Sequence, residues 1–305
     1  TGVQTCALPI CYFTPRDHYA SVRLGLAEAL SAGATTVHNW AHNIATPEHA
    51  DAELRAMRDG GLRGRFSYGT AQGAPNNQPM DLAGLAKIKQ QWMPNDGMLT
   101  LGISSRNVGD DTNPLRGNIS VDVARKDWGG ARALGLPITM HTSGPSPITL
   151  LEKAGLLGPD VQLVHPLLTT TEERNILKAR GVSYSTSPVG ESQRPASAGV
   201  IQLAELLEAG VKVSMSIDLT GTYNVDFFQC MRFLYHLHRH RVGARVPLTA
   251  TASPRSNSMV MTEPLLRRLH ARGERLTRAR PRAPADARER TRRRSSVPSP
   301  TVGPP

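Results

Sequence analysis

Two hydrophobic patterns alternate along residues 14–249. Short runs rich in apolar and β-branched residues, typical of buried strands, are separated by amphipathic stretches of helical length. The predicted strands are Ala34–Trp40, Arg63–Gly69, Met98–Ser104, Leu136–Thr142, Val161–His165, Val182–Ser187 and Val211–Asp218. The predicted helices include Arg16–Ser31, Thr46–Asp59, Val121–Leu134, Thr170–Arg180, Val200–Glu208 and Val225–Arg239. This alternation predicts an α/β protein with a parallel sheet.

The ends of several predicted helices carry local signals. Thr46-Pro47-Glu48 combines a capping residue, a first-turn proline and an early acid, and Gly60-Gly61 ends that helix. Thr170–Glu173 has the pattern of a capping box, with Gly181 at the far end of the helix. These signals support the division of the chain into strand–helix units.

Seven strands with a helix before the first one predict a TIM-type (β/α)8 barrel that lacks its first strand. The alternative is an open, doubly wound sheet. Such sheets usually carry a glycine-rich phosphate loop after a strand, and this sequence has none. The barrel is therefore favoured.

Three predicted strands end in residues that commonly bind metals, namely His141, His165 and Asp218. In a parallel α/β fold these ends meet at one edge, and the two-residue period places His141 and Asp218 on the polar faces of their strands. Two imidazoles and a carboxylate suit zinc or iron, which would lower the pKa of a bound water. The alternative is that each residue only caps its strand.

Three other residues are candidates for contacting a substrate. Trp40 and His42 lie at the end of the first predicted strand, and Glu191 follows the sixth. Packing within a loop is an equally good explanation for each of them. The sequence alone leaves both explanations open.

The charge of the chain is unevenly distributed. The whole chain carries a net charge of +11, but residues 251–305 contain 13 arginines and 4 acidic residues, which leaves residues 1–250 near neutral. Because this segment is rich in arginine and proline and poor in aromatic residues, we expect residues 250–305 to form a disordered basic tail. Nucleic-acid binding through this tail is a minor alternative, since it lacks aromatic residues for base stacking.

Cysteine usage and hydropathy restrict the setting of the protein. The three cysteines have neither CxxC spacing nor an even count, which excludes a disulfide scaffold and favours a reducing, cytoplasmic location. No apolar run is long enough to span a membrane, and the first ten residues do not read as a signal peptide. We expect a small-molecule substrate and no membrane partner; a homo-oligomer is compatible with the sequence.

Several of these segments resemble the metal-dependent amidohydrolases, most closely the cytosine deaminase and chlorohydrolase-like branch. The similarity covers about residues 15–249. The segments that carry it are Ser31–Asn43, Thr46–Asp51, Ile138–His141, Leu163–Pro166 and Val213–Asp218.

The resemblance implies one zinc or iron ion at the mouth of the barrel. It makes His141 a metal ligand and Asp218 both a ligand and a base, with His165 orienting water or substrate. The activity it implies is hydrolysis of carbon–nitrogen bonds other than peptide bonds in small cyclic substrates, as in a deaminase. A catalytically inactive barrel that binds a small ligand is the alternative.

The sequence also departs from the pattern of that family. It has no opening strand with a His-x-His pair and no small β-sandwich, and Gly144 stands where many deaminases have the glutamate that shuttles protons. Residues 1–13 and 250–305 look foreign to the barrel, as a truncated and frame-shifted gene would produce. We therefore expect three regions (1–13, 14–249 and 250–305) and an enzyme whose activity is impaired.

Overall fold

Seven parallel strands, hydrogen-bonded in the order in which they follow one another, form the sheet of the protein. The computed structural model describes residues 12–94, 97–109, 118–142, 146–194, 199–218, 226–242, 251–252 and 259–260. The parallel strands are β1 (Thr36–Ala41), β2 (Arg63–Gly69), β3 (Leu99–Ser105), β4 (Ile138–His141), β5 (Val161–Val164), β6 (Ser183–Thr186) and β7 (Lys212–Met215). Two short strands, β8 (Thr251–Ala252) and β9 (Met259–Val260), follow β7, and β9 pairs antiparallel with it.

Helices connect the parallel strands. They are α1 (Pro15–Ser31), α2 (Pro47–Gly60), α3 (Leu82–Trp92), α4 (Val121–Ala133), α5 (Ile148–Lys153), α6 (Thr171–Arg180), α7 (Pro188–Ser192), α8 (Leu203–Glu208) and α9 (Phe227–Val242). The predicted α/β class and the parallel sheet are confirmed. All seven predicted strands are present, with ends that shift by up to three residues.

Local chemistry explains where several helices begin and end. Thr170 and Glu173 form the predicted capping box at the start of α6, in which each side chain accepts a hydrogen bond from the backbone N–H of the other residue. Gly61 and Gly181 end α2 and α6 with φ values of 69°. This left-handed conformation costs glycine little because glycine has no Cβ atom.

The main core lies between the sheet and the helices. Its largest fully buried side chains include Trp128, Tyr68, Tyr184 and Phe66. The indole N–H of Trp128 donates a hydrogen bond to the Ser105 hydroxyl at 2.8 Å, which satisfies the polar atom of a buried aromatic ring. This packing fixes the strands and therefore the positions of the residues at their carboxyl ends.

Within the described residues, no helix is long and apolar enough to cross a membrane. Residues 1–11 and most of 250–305 lie outside the described residues, as does Gly144. The predicted boundaries of the three regions, the disordered tail and the absent proton shuttle therefore stay predictions.

Candidate active site

The three predicted ligand-type residues lie at the carboxyl edge of the parallel sheet. His141 is the last residue of β4, His165 directly follows β5, and Asp218 lies three residues beyond β7. Because β4 and β5 are paired in parallel, with His141 opposite Val164, the two imidazoles come from adjacent positions on neighbouring strands. The sequence placed these residues at strand ends, and the fold brings the ends to one edge.

Four aromatic rings form a cluster around His141 at this edge. The ring of His141 lies 5.3 Å from that of His165, centroid to centroid, and the two are stacked at 20°. The ring of His141 also lies 4.5 Å from that of Trp40 and 5.2 Å from that of His42. The two candidate substrate contacts at the end of β1 therefore lie beside a candidate metal ligand. Their contact with a substrate stays a prediction.

His165 is paired with a buried carboxylate. Its Nδ1 lies 2.9 Å from Oε1 of Glu191, and neither side chain is exposed to solvent. The same carboxylate accepts hydrogen bonds from the Ser187 backbone N–H at 2.7 Å and from the Thr186 hydroxyl. Glu191 is therefore held inside the protein next to His165, and its predicted contact with a substrate remains untested.

The other ring nitrogen of His165, Nε2, is also buried. It has no hydrogen-bond partner within the described part of the chain. A buried polar atom without a partner costs free energy, and such atoms in native proteins often mark a position that a ligand, an ion or a water occupies.

The backbone at two of these residues is unusual. His165 and Asp218 have φ values of 71° and 70°, and they are the only non-glycine residues with positive φ among those described. This conformation is unfavourable for residues with a Cβ atom, and such strain tends to occur at functional sites. The strain thus falls on two of the three residues that the sequence singled out.

Burial decides the charge state of the imidazoles on β1 and β4. Burial lowers the pKa of His42 to about 4 and that of His38 to about 3, with the Arg65 and His42 charges adding to the effect at His38. Burial also lowers the pKa of His141 well below its usual range, and the neighbouring His42 and His165 contribute. These imidazoles are therefore neutral at pH 7, the form that can bind a metal.

The pKa of Asp218 shifts in the opposite direction. Burial raises the pKa of its carboxyl group, while nearby His165 and Arg194 partly oppose that rise. A carboxylate with a raised pKa accepts a proton more readily than an ordinary aspartate does, which suits a general base.

The donor types at this edge fit a divalent metal ion, but the number of donors is small. Neutral imidazole and carboxylate are normal ligands of zinc and iron, and His165 has the carboxylate partner that metal-ligating histidines usually have. Among the residues that the structure describes, however, no group of three or more His, Cys, Asp or Glu side chains is arranged to hold an ion. Catalytic zinc commonly has three protein ligands, so His141 and Asp218 would need further ligands, and their roles as metal ligands stay predictions.

The contact between Glu191 and His165 was not predicted from the sequence. The position of Glu191 four residues after Ser187, in the first turn of a helix that opens with Pro188, predicts that its carboxylate can reach the backbone N–H of Ser187. It could not predict that this turn lies against His165, 26 residues away in the chain.

Two known deaminases are similar to this chain in sequence. The chain is 27% identical to a 5-methylthioadenosine/S-adenosylhomocysteine deaminase from Thermococcus kodakarensis over 243 residues, which are 74% of this chain and 53% of the deaminase. A deaminase of the same name from Bacillus cytotoxicus is 23% identical over 262 residues, 79% of this chain and 57% of that protein. The chain therefore spans about half the length of these curated relatives. It matches no family model.

Solved structures share the fold. An adenosine deaminase from Xanthomonas campestris with bound zinc superimposes with a TM-score of 0.63 at 18% identity, covering 78% of this chain and 55% of that one. A mutant atrazine chlorohydrolase from Arthrobacter aurescens, in complex with zinc and atraton, gives 0.53 at 20% identity, covering 67% and 49%. The predicted resemblance to the metal-dependent amidohydrolases is confirmed.

Proposed function

We propose that this chain, as a relative of the metal-dependent amidohydrolases, provides the site of a hydrolase that breaks carbon–nitrogen bonds in small cyclic substrates, with deamination of an adenine nucleoside as the leading reaction. The observation that carries the proposal is the buried Nε2 of His165, which has no partner within the described residues and lies in a ring stacked on His141. The deaminase relatives support the choice of reaction.

The finer architecture belongs to the same proposal. We infer that the seven parallel strands are those of a TIM-type (β/α)8 barrel. The order of the strands, each paired in parallel with the next, supports this arrangement. The carboxyl edge that carries the site is the face where such barrels usually place their catalytic residues.

A divalent metal such as zinc, held by His141 and Asp218 with further ligands, would lower the pKa of a water molecule and polarise the substrate. Asp218 would take a proton from the attacking water, for which its raised pKa suits it. His165 would orient the water or the substrate through Nε2. The neutral rings of Trp40 and His42 would pack against a planar heterocycle.

The proposed reaction is balanced by water alone. Oxygen from water forms a bond to a ring carbon, the bond from that carbon to the exocyclic nitrogen breaks, and the leaving nitrogen takes up a proton and departs as ammonia. The residue that delivers this last proton is unassigned.

Release of ammonia tests the proposal. The full chain would be incubated with 5-methylthioadenosine, S-adenosylhomocysteine, adenosine and cytosine, with and without added zinc or ferrous iron. We expect ammonia from at least one adenine nucleoside, dependent on the metal and absent in Asp218→Asn. If a folded, metal-supplemented chain binds a nucleoside but releases no ammonia, the inactive binding protein is the better description.

A further inference from the structure

We propose that Glu191 is a positioning residue for His165: it holds the proton on Nδ1 and so leaves Nε2 free to accept a metal ion, a water or a substrate. This inference rests on the proposed function for the identity of the group that contacts Nε2. The position of the His165 ring is argued from the structure alone. It gives Glu191 a different task from the substrate contact that its sequence position suggested.

The carboxylate of Glu191 is fully used inside the protein. Oε1 lies 2.9 Å from His165 Nδ1 and accepts the Ser187 N–H at 2.7 Å, while Oε2 accepts the Thr186 hydroxyl. With donors on both oxygens and no exposed side-chain surface, the group is fixed in one orientation. A carboxylate held in this way can act on a substrate only through the ring that it contacts.

That contact determines which ring nitrogen carries the proton. An imidazole beside an ionised carboxylate places its N–H toward that carboxylate, because the carboxylate can only accept. When the ring of His165 is neutral, its proton is therefore on Nδ1 and its lone pair is on Nε2. A histidine with this tautomer can accept a hydrogen bond or bind a metal through Nε2.

The backbone of His165 is held by the same region. The His165 N–H donates to the Ser185 carbonyl at 2.9 Å, and the His165 carbonyl accepts from the Leu167 N–H at 2.9 Å and from the Thr142 hydroxyl at 3.2 Å. These bonds support the left-handed φ of 71°. The main chain is thus fixed by β6 and the loop after β5, and the ring by α7, so that little freedom remains for Nε2.

Glu191→Leu and Glu191→Gln test this task by removing or keeping the acceptor beside the His165 ring. Leucine removes the acceptor and keeps much of the volume. Glutamine keeps an oxygen that can accept hydrogen bonds from the Ser187 N–H and from His165 Nδ1–H. Its NH2 group can face Thr186, because the Thr186 hydroxyl can rotate to accept a hydrogen bond. Leucine therefore removes the acceptor of both the Ser187 N–H and the His165 ring, whereas glutamine keeps both contacts.

The first readout needs neither metal nor substrate. Imidazole nitrogen NMR of the full chain with labelled histidine, assigned with His165→Gln, reports where the proton lies. We expect Nδ1 to be protonated in the wild type and in Glu191→Gln, and this state to be lost in Glu191→Leu. Glu53→Leu is the matched control, because it removes the carboxylate from another buried histidine and should leave the His165 signals unchanged.

The second readout is zinc affinity, measured by competition with a chelating dye. If Nε2 of His165 binds the metal, Glu191→Leu should weaken zinc binding by about 10–100-fold and Glu191→Gln much less; if Nε2 orients water or substrate, the zinc affinities should be equal. An unchanged Nδ1 signal in folded Glu191→Leu would overturn the positioning role. Loss of the Nδ1 signal with no zinc bound by any variant would support positioning and contradict the proposed function.

Discussion

Two buried histidine–glutamate pairs occur in the described part of the chain, and they differ in ways that separate a site from a structural contact. His165 and Glu191 lie 2.9 Å apart at the carboxyl edge of the sheet, and His18 and Glu53 lie 2.6 Å apart between α1 and α2. In both pairs Nδ1 faces the carboxylate, and Nε2 is buried without a partner among the described residues. The pair by itself therefore does not identify a functional site.

The surroundings of the pairs make the difference. His18 lies in regular helix, with its ring 4.8 Å from that of His49, and the second oxygen of Glu53 accepts the Asn39 side-chain amide at 2.7 Å. His165 instead has a left-handed backbone, a stacked imidazole and a neighbouring carboxylate with a raised pKa. Strain and convergent ligand-type groups, rather than a buried histidine–glutamate pair, distinguish the proposed site.

The largest expected effect comes from Asp218→Asn. The amide cannot take a proton from water, so we expect turnover to fall by about 10²–10⁴-fold, as for loss of a general base. His18→Gln in the other pair should leave turnover within about threefold, since that pair stabilises only the packing of two helices. The comparison is measured by steady-state ammonia release, and a strong loss of kcat in folded His18→Gln would remove the distinction between the pairs.

Glu191→Leu and Glu53→Leu test the same comparison through stability and turnover together. Each change leaves a buried histidine without its acceptor, so we expect the free energy of unfolding to fall by about 1–3 kcal/mol in both, measured by urea denaturation. Only Glu191→Leu should also reduce kcat, by about 10-fold or more. Equal losses of stability with no change of kcat in either variant would contradict the difference between the two pairs.

Strand β1 lies between the two regions and allows a test by pH. Asn39 contacts Glu53 on the helix side, whereas His38 contacts the Ser67 hydroxyl at 2.7 Å. Because burial lowers the pKa of His38 to about 3, the unfolded chain binds a proton below pH 6.5 that the folded chain excludes. His38 should therefore make the protein less stable as the pH falls from 6.5 toward 3, by up to about 1.4 kcal/mol per pH unit.

His38→Gln removes this dependence while keeping a group that can hydrogen-bond to Ser67. We expect its unfolding free energy, measured between pH 7 and pH 4.5, to decline less steeply than that of the wild type. Parallel curves for the two proteins would mean that folded His38 takes up a proton as easily as the unfolded chain does.

The smallest effects concern the second oxygen of each carboxylate. Thr186→Val removes the hydroxyl that donates to Glu191, and Asn39→Leu removes the amide that donates to Glu53. Each should lower the free energy of unfolding by about 0.5–1.5 kcal/mol. Thr186→Val should also lower kcat a few-fold without a matching rise in KM, and Asn39→Leu should leave both constants unchanged. A larger kinetic effect from Asn39→Leu would reverse the assignment of the two regions.

Most of the order of strands and helices could be predicted from the sequence, because hydrophobic periodicity and helix capping depend on neighbouring residues. The capping box of Thr170 and the glycine that ends α6 follow from neighbouring residues alone. The positions of His141, His165 and Asp218 at strand ends were also predictable, and a parallel sheet brings such ends together. The positions of these three residues could therefore be predicted from local sequence patterns and one topological rule.

The role of Glu191 required the tertiary structure. The short helix α7 and the contact between Glu191 and His165 depend on how the loop after β6 turns back over β5. The positive φ of His165 and Asp218 was not predictable either, since neither residue type requires it. Side-chain pairing across distant segments and backbone strain are set by packing, which the order of residue types does not encode locally.

The most direct test of the central claim is the metal content of the full chain. Wild type and a His141→Ala, Asp218→Ala double variant would be purified without chelators, exposed to equal zinc and analysed by elemental analysis, with circular dichroism to show that both are folded. We expect about one zinc per wild-type chain and little in the double variant, because these two residues contribute ligands to the proposed site. A folded wild type without zinc, or a double variant that retains it, would contradict the assignment of the site.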